Sequence, residues 1–154
     1  MPRKKDKVTA ASNQLKLFHQ INALIQGARN RVAVTVNREL VLLYWQVGKA
    51  IKEDILNNKR ADYGEQVVVS LAKELQELYG KGWSKQQLLH CLRSAETFSK
   101  NQIIYAVRRQ LSWTHLRTLI YINDKVKREF YLEMSSLFYK TGIANWSFLT
   151  HYKG

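Results

Sequence analysis

Residues 13–57 decide the fold: NQLKLFHQINALIQGARNRVAVTVNRELVLLYWQVGKAIKEDILN. Apolar side chains recur in this stretch at spacings of three and four residues, which is the period of an α-helix. They are Phe18, Ile21, Ile25, Ala28, Val32, Val36, Leu40, Leu43, Val47, Ile51 and Ile55. The pattern predicts one helix of about 65 Å at 1.5 Å per residue. A compact domain of this size is narrower than that, so part of the apolar stripe is expected to meet another chain.

Gly27 leaves a second interpretation open. Glycine weakens a helix interior, so a break near Gly27 would give two antiparallel helices in place of one. In both cases residues 1–12 are expected to be a flexible basic arm, because residues 1–7 carry four basic side chains and one acidic one. Residues 13–154 are then expected to form a single helical domain that looks truncated at its C-terminal end.

The remainder of the chain predicts shorter helices. One begins at Tyr63-Gly64 and ends at Gly80-Lys81-Gly82, since glycine commonly follows the end of a helix. Two more are expected to begin at Ser84 and Ser112, because serine caps helix N-termini and an apolar residue precedes each of them. A further helix is expected from about Asn123-Asp124 to Thr141-Gly142.

Other segments are less regular. Residues 99–111 show no clear period, and Asn145-Trp146-Ser147 resembles one more helix start. The only proline is Pro2, and no strand-like alternation reaches six residues. We therefore predict an all-α fold, in which a long N-terminal helix is followed by a bundle of short helices with helix-turn-helix-like character.

Charge indicates an anionic partner. The chain has 154 residues and a formal net charge of +13, and residues 81–128 contain ten basic and two acidic side chains. A localised basic excess favours nucleic acid through release of counterions from phosphates, although a solvated basic surface is the simpler explanation. Cys91 is the only cysteine, which excludes an internal disulfide and suits the reducing cytoplasm. The sequence also lacks an apolar run long enough to span a membrane.

Residues for catalysis are missing. None of the four histidines is spaced for zinc, and the sequence contains neither a glycine-rich phosphate loop nor a Glu-x-Lys pair. Asp54 and Asp62 lie among basic neighbours, so we interpret them as solvated side chains. Cys91 is expected to be a small buried hydrophobe. No catalytic residue, metal site or cofactor is therefore predicted, and the chain is not expected to be an enzyme.

Candidate DNA contacts follow from helical spacing. Gln86, His90, Arg93 and Thr97 form one polar stripe on the third predicted helix, and the short helix after Ser112 is expected to expose Thr114, Arg117 and Tyr121. Glutamine can bind adenine edges, and arginine can bind guanine edges or phosphates. The candidate nucleic-acid-binding residues are Lys85, Gln86, Arg93, Arg108, Arg109 and Arg117.

Two further expectations concern apolar side chains. Phe18, Ile21 and Ile25 are expected to form a dimer interface, because they lie farthest along the chain from residues 81–128. Trp83 and Trp113 each adjoin a capping serine, so they are expected to be structural and not to stack on bases.

Several motifs occur in an order that resembles one family. They are Leu43-Tyr44-Trp45-Gln46-Val47-Gly48-Lys49-Ala50-Ile51, Tyr63-Gly64, Tyr79-Gly80-Lys81-Gly82-Trp83-Ser84, Gln110-Leu111-Ser112-Trp113-Thr114-His115, Lys127-Arg128-Glu129-Phe130-Tyr131 and Asn145-Trp146-Ser147. On these residues the chain resembles the N-terminal helical domain of the YhcG-like family, over about residues 15–147.

The resemblance implies a DNA-binding helical domain that precedes a PD-(D/E)XK-type nuclease domain in full-length members. That nuclease domain is absent from these 154 residues, and residues 148–154 replace the Arg-containing helix with which family members continue. The resemblance therefore implies recognition or assembly and not catalysis. We predict a DNA-binding, dimeric module that would target a nuclease, with double-stranded DNA and a second copy as partners. The alternative is a dimerisation or protein-interaction domain whose basic charge is incidental.

Overall fold

The computed structural model describes residues 3–57 and 63–141, and the regular structure within these ranges is entirely helical. The helices are α1 (Lys4–Asn57), α2 (Tyr63–Tyr79), α3 (Lys85–Thr97), α4 (Lys100–Arg108), α5 (Trp113–Leu119) and α6 (Lys125–Thr141). The predicted all-α fold with a long first helix is thus confirmed. The chain divides after Val36 into two compact units.

Helix α1 begins earlier than the sequence period suggests. It starts at Lys4 and not near Asn13, so residues 4–12 form helical turns where a flexible arm was expected. The backbone N–H of Arg3 donates to the Asp6 carboxylate at 3.1 Å, and a carboxylate in the first turn is favourable beside the positive end of the helix dipole. The helix continues through Gly27, which excludes the alternative of two antiparallel helices.

The N-terminal unit, residues 3–36, consists of the first part of α1. Every residue of this unit except Gly27 is exposed, including the apolar ones. Phe18 is 61% exposed and Ile21 is 47% exposed. A surface helix of a globular protein normally buries its apolar side chains, so this helical face is unusual.

In the second unit, the buried face of α1 is rotated relative to the predicted stripe. Val41, Trp45 and Gly48 are buried, whereas Leu40 and Leu43 are exposed. The indole Nε1 of Trp45 donates to the Phe98 carbonyl at 3.0 Å, which satisfies the polar atom of the buried ring. Packing against α3 therefore selects the face that carries Gly48.

Two apolar clusters form the core of the second unit. The larger comprises buried residues of α1 and of segments from α3 to α6, including Val41, Leu111 and Leu116. The smaller joins α1, α2 and α3 through Ile51, Val68, Ala72 and Leu88. The described residues include no helix that is long and apolar enough to cross a membrane.

An aromatic group links the two clusters. The ring of Tyr44 lies 5.7 Å from that of Trp83 and 4.8 Å from that of Trp113. Trp83 packs against the smaller cluster and Trp113 against the larger one. These contacts agree with the structural role expected for both tryptophans.

Candidate nucleic-acid interface

Helices α4 and α5 follow each other across a short connection. Residues 109–112 connect them, which is close to the three or four residues of a DNA-binding helix–turn–helix. Helix α4 lies in the segment predicted to be irregular, residues 99–111. Ser99 accepts from the Gln102 N–H at 3.2 Å, and the Gln102 side chain accepts from the Ser99 N–H at 2.9 Å. This Ser-x-x-Gln capping box was the sequence signal that could have located α4.

The turn between α4 and α5 has a defined geometry. Gln110 adopts a left-handed conformation with φ 60°. Its N–H donates to the Val107 carbonyl at 3.0 Å, and the Leu111 N–H donates to the Ala106 carbonyl at 3.1 Å. This is the Schellman pattern that ends many helices, usually with glycine at the left-handed position. Asn37 of α1 also donates its side-chain amide to the Leu111 carbonyl at 3.2 Å.

Helix α5 presents the polar face that the sequence predicted. Leu116 and Leu119 are fully buried, whereas Thr114, Arg117 and Tyr121 are exposed. Thr114 and Arg117 are three residues apart and share one side of α5, and Tyr121 follows two residues after the last residue of the helix, Leu119. Within residues 3–57 and 63–141, no ion pair joins Arg117 to a carboxylate. The guanidinium of Arg117 is therefore available to an external anion.

His90 connects α3 to this face. It is only 6% exposed, and its ring Nδ1 lies 2.6 Å from the Tyr121 hydroxyl in a hydrogen bond. The amide nitrogen of Gln86 lies 3.4 Å from the other ring nitrogen. Burial lowers the pKa of His90, and the charge of Arg117 lowers it further. His90 is consequently neutral near pH 7, and its hydrogen bond positions the Tyr121 side chain.

Arg93 is placed differently from the expectation of an outward stripe. It is half-buried, its Nε donates to the Ile120 carbonyl at 2.8 Å, and its Nη2 donates to the Asn123 side chain at 3.2 Å. The guanidinium also lies 4.7 Å from the centre of the Tyr121 ring. Because a carbonyl at the end of α5 needs a donor, Arg93 ties α3 to α5 and holds the exposed face in position.

The other candidate contacts are dispersed. Lys85 forms an ion pair with Glu65 of α2 at 3.2 Å. Arg109 is half-buried, lies 4.1 Å from the centre of the Tyr105 ring and pairs with Glu133 of α6 at 3.9 Å. Arg108 is exposed in the last turn of α4. The structure thus brings Gln86, Arg93 and Arg117 together around His90 and Tyr121, and it directs Arg109 toward α6.

Groups suited to catalysis are sparse in the part of the chain that the structure describes. Residues 3–57 and 63–141 include no cluster of three metal-ligating side chains. The Asp54 carboxylate accepts from the Tyr63 hydroxyl at 2.8 Å. Asp62 and the predicted helix start Asn145-Trp146-Ser147 lie outside the described residues. Burial raises the pKa of the Cys91 thiol to about 12, so it is not a thiolate nucleophile near neutral pH.

Comparison with known proteins identifies one family. The family described as DUF1016 N-terminal domain matches residues 20–147. This range contains α2 to α6 and most of α1, and it includes all the motifs on which the resemblance was based. Neither the curated proteins nor the solved structures provide a match.

Proposed function

The chain belongs to the family of DUF1016 N-terminal domains, the N-terminal domains of YhcG-like proteins, and on this premise we propose that it is a dimeric helical module that binds double-stranded DNA. Joined to a nuclease domain, such a module would supply affinity for the substrate while the nuclease supplied the chemistry. The proposal concerns binding, and it assigns no catalytic role to the residues of this chain.

One observation carries the proposal. Helix α5 exposes Thr114 and Arg117 on one side, directly after a turn of helix-turn-helix length, and the exposed Tyr121 follows the end of the helix. In a helix–turn–helix the second helix enters the major groove. Arginine binds guanine edges and phosphates, and threonine can bond to several bases. The face therefore has the size and chemistry of a short recognition helix.

The surrounding charge supports phosphate contacts. Residues 81–128 carry ten basic side chains against two acidic ones. Arg108 precedes the turn, and Lys85 and Gln86 lie in the first turn of α3. Arg93 and Arg109 have internal partners. We therefore propose that they stabilise this surface more than they contact DNA directly.

The second candidate function is dimerisation with incidental basic charge. The exposed apolar face of α1, with Phe18, Ile21 and Ile25, favours it, because contiguous exposed apolar surface commonly marks an interaction site. The two functions are compatible, since DNA-binding domains of the helix-turn-helix class often bind as dimers. A measurement of whether α5 contributes to affinity for DNA distinguishes the two functions.

The test is the salt dependence of binding to duplex DNA. Arg117→Ala and Arg108→Ala should each lower affinity and reduce the slope of log K against log salt by about 0.9 for each phosphate that is no longer neutralised. Lys49→Ala is the matched control, because Lys49 is on α1 and pairs with Glu53 at 3.8 Å. Deletion of residues 2–7 measures the contribution of the N-terminal cations. If that deletion abolishes binding while Arg117→Ala and Arg108→Ala bind like the unaltered chain, the α5 proposal is wrong.

A further inference from the structure

A groove lies between α4 and α6. It has a volume of about 620 Å³, and its lining includes Asn101, Tyr105, Val126, Glu129, Phe130 and Glu133. Val126 is 76% exposed and Phe130 is 57% exposed. These two residues are one turn apart on α6, so they share a side of the helix. The groove thus presents an apolar strip to its surroundings.

The charged side chains that line this groove are acidic. Among the described residues that line it, they are Glu129 and Glu133. Glu133 pairs with Arg109 at 3.9 Å and accepts from the Tyr105 hydroxyl, so Glu129 is the carboxylate that can meet a new cation. Glu129 pairs with Lys125 at 3.9 Å, and both side chains are about half exposed or more. An exposed pair of this kind contributes little to stability, so Glu129 can exchange Lys125 for another cation at small cost.

The N-terminal unit has the complementary character. Phe18, Ile21, Ile25 and Val32 form an exposed apolar stripe, here called the N-terminal stripe. Arg29 and Arg31 flank it, and no acidic residue occurs between Lys7 and Glu39. Two N-terminal stripes packed against each other would therefore bring like charges together, which disfavours association. An apolar surface with carboxylates avoids that repulsion.

We propose that the N-terminal stripe of one copy docks in the α4–α6 groove of a second copy. An amphipathic helix in an apolar groove is a common mode of recognition. Arg29 and Arg31 would lie beside Glu129, and the apolar side chains would cover Val126 and Phe130. In a two-fold dimer each copy supplies one helix and one groove, so the contact occurs twice.

This inference rests on the dimer of the proposed function and specifies how it forms. It is independent of DNA binding, because α5 and Arg117 take no part in it. In a dimer built by exchange of helices, the N-terminal stripe lies near the groove of the other copy. In a dimer of two parallel or antiparallel α1 helices, the two stripes lie near each other. Cysteine pairs can therefore distinguish the arrangements.

The experiment uses Ile21→Cys and Phe130→Cys in the full chain with a short thiol-reactive cross-linker. Cys91 does not compete, because it is fully buried and its pKa is raised to about 12. A mixture of the two single variants should give a cross-linked dimer, whereas each variant alone should not. The double variant should give an intermolecular cross-link whose yield falls on dilution.

Other outcomes overturn the proposal. A cross-linked dimer from Ile21→Cys alone would show that like stripes pair, and an intramolecular product in the double variant that is independent of concentration would show that one copy suffices. Absence of any cross-link would show that the groove is not the docking site. A monomer by light scattering would refute the proposed dimer itself, while DNA binding would still be measured separately.

Charge reversal provides a second readout. Glu129→Lys should weaken the dimer by about fivefold or more, because it replaces attraction by repulsion. Glu96→Lys is the control, since Glu96 is an exposed carboxylate of α3 outside the groove lining. If both variants weaken the dimer equally, the effect is one of net charge and the groove is not its origin.

Discussion

Gly48 of α1 lies directly against the backbone of Cys91 in α3. A Cβ added at Gly48 would be 1.8 Å from the Cys91 carbonyl oxygen and 2.3 Å from its carbonyl carbon. Real Cβ atoms do not approach a backbone this closely, so only glycine permits this crossing of the two helices. The contact explains why a helix breaker is retained in the interior of a long helix.

Gly48→Ala should consequently destabilise the fold. Helix propensity alone would favour alanine, but the clash must be relieved by separating α1 from α3, which we expect to cost about 3 kcal/mol. Chemical denaturation measures the change. Gly82→Ala is the matched control, because nothing lies within 4 Å of a Cβ at that position. Equal stability of the two variants would show that the crossing is looser than the structure indicates.

In the turn between α4 and α5, a substitution by glycine should instead stabilise the fold. Gln110 has φ 60°, a conformation that costs about 1 kcal/mol for most residues and nothing for glycine. Gln110→Gly should therefore raise the free energy of unfolding by up to about 1 kcal/mol. Gln110→Ala retains the unfavourable conformation and should give no gain. A loss of stability in Gln110→Gly would mean that the glutamine side chain stabilises the turn.

The sequence was most informative where a signal is local. The capping serines Ser84 and Ser112 and the exposed side of α5 were predicted because each depends on neighbours within four residues. Helix α4 was missed, since its nine residues give too few turns for a period to stand out.

Tertiary contacts explain the remaining differences. The rotation of the buried face toward Val41 and Trp45 depends on the crossing at Gly48, and that crossing involves a residue more than forty positions away in the chain. Arg93 was expected to face outward because helical period cannot show that the Ile120 carbonyl lies opposite. The capping box that contains His115 was also not predicted, although the spacing Ser112-x-x-His115 is visible in the sequence.

Two histidines should make stability depend on pH. Burial lowers the pKa of His115 from its ordinary value of 6.5, and the pKa of His90 is lowered as well. The neutral Nδ1 of His115 accepts from the Ser112 N–H at 3.1 Å, which the imidazolium cannot do. Because the unfolded chain binds protons more readily, stability is complete above pH 6.5 and is lost as the pH falls through the lowered folded values.

His115→Gln tests this origin. Glutamine can complete the capping box without titrating, so the variant should match the unaltered chain at pH 7.5 and be more stable than it near pH 5. Thermal unfolding across this range measures the difference. The pH dependence that remains should come largely from His90. An unchanged pH profile in His115→Gln would contradict the assignment.

Substitutions of Arg93 and Arg117 should distinguish a residue that stabilises the fold from a residue that binds DNA. Arg93 satisfies the Ile120 carbonyl with its Nε at 2.8 Å, whereas Arg117 is exposed on α5. Loss of a charged donor to a partly buried carbonyl costs about 1–3 kcal/mol, so Arg93→Ala should lower the free energy of unfolding by that amount. Arg117→Ala should change it by less than about 0.5 kcal/mol, as surface substitutions usually do.

Affinity for DNA should fall more in Arg117→Ala than in Arg93→Ala when both are measured at a temperature where both variants are folded. Arg117→Ala removes a proposed contact, and its salt slope should fall by about 0.9 if that contact is to a phosphate. Arg93→Ala should keep its full salt slope and lose affinity only as far as the position of Tyr121 is disturbed. Arg93→Lys isolates geometry from charge, because lysine keeps the cation but cannot donate in the planar, multidentate way of a guanidinium. If Arg93→Ala instead reduced the slope with no loss of stability, Arg93 would be the DNA contact and α3, not α5, would be the recognition helix.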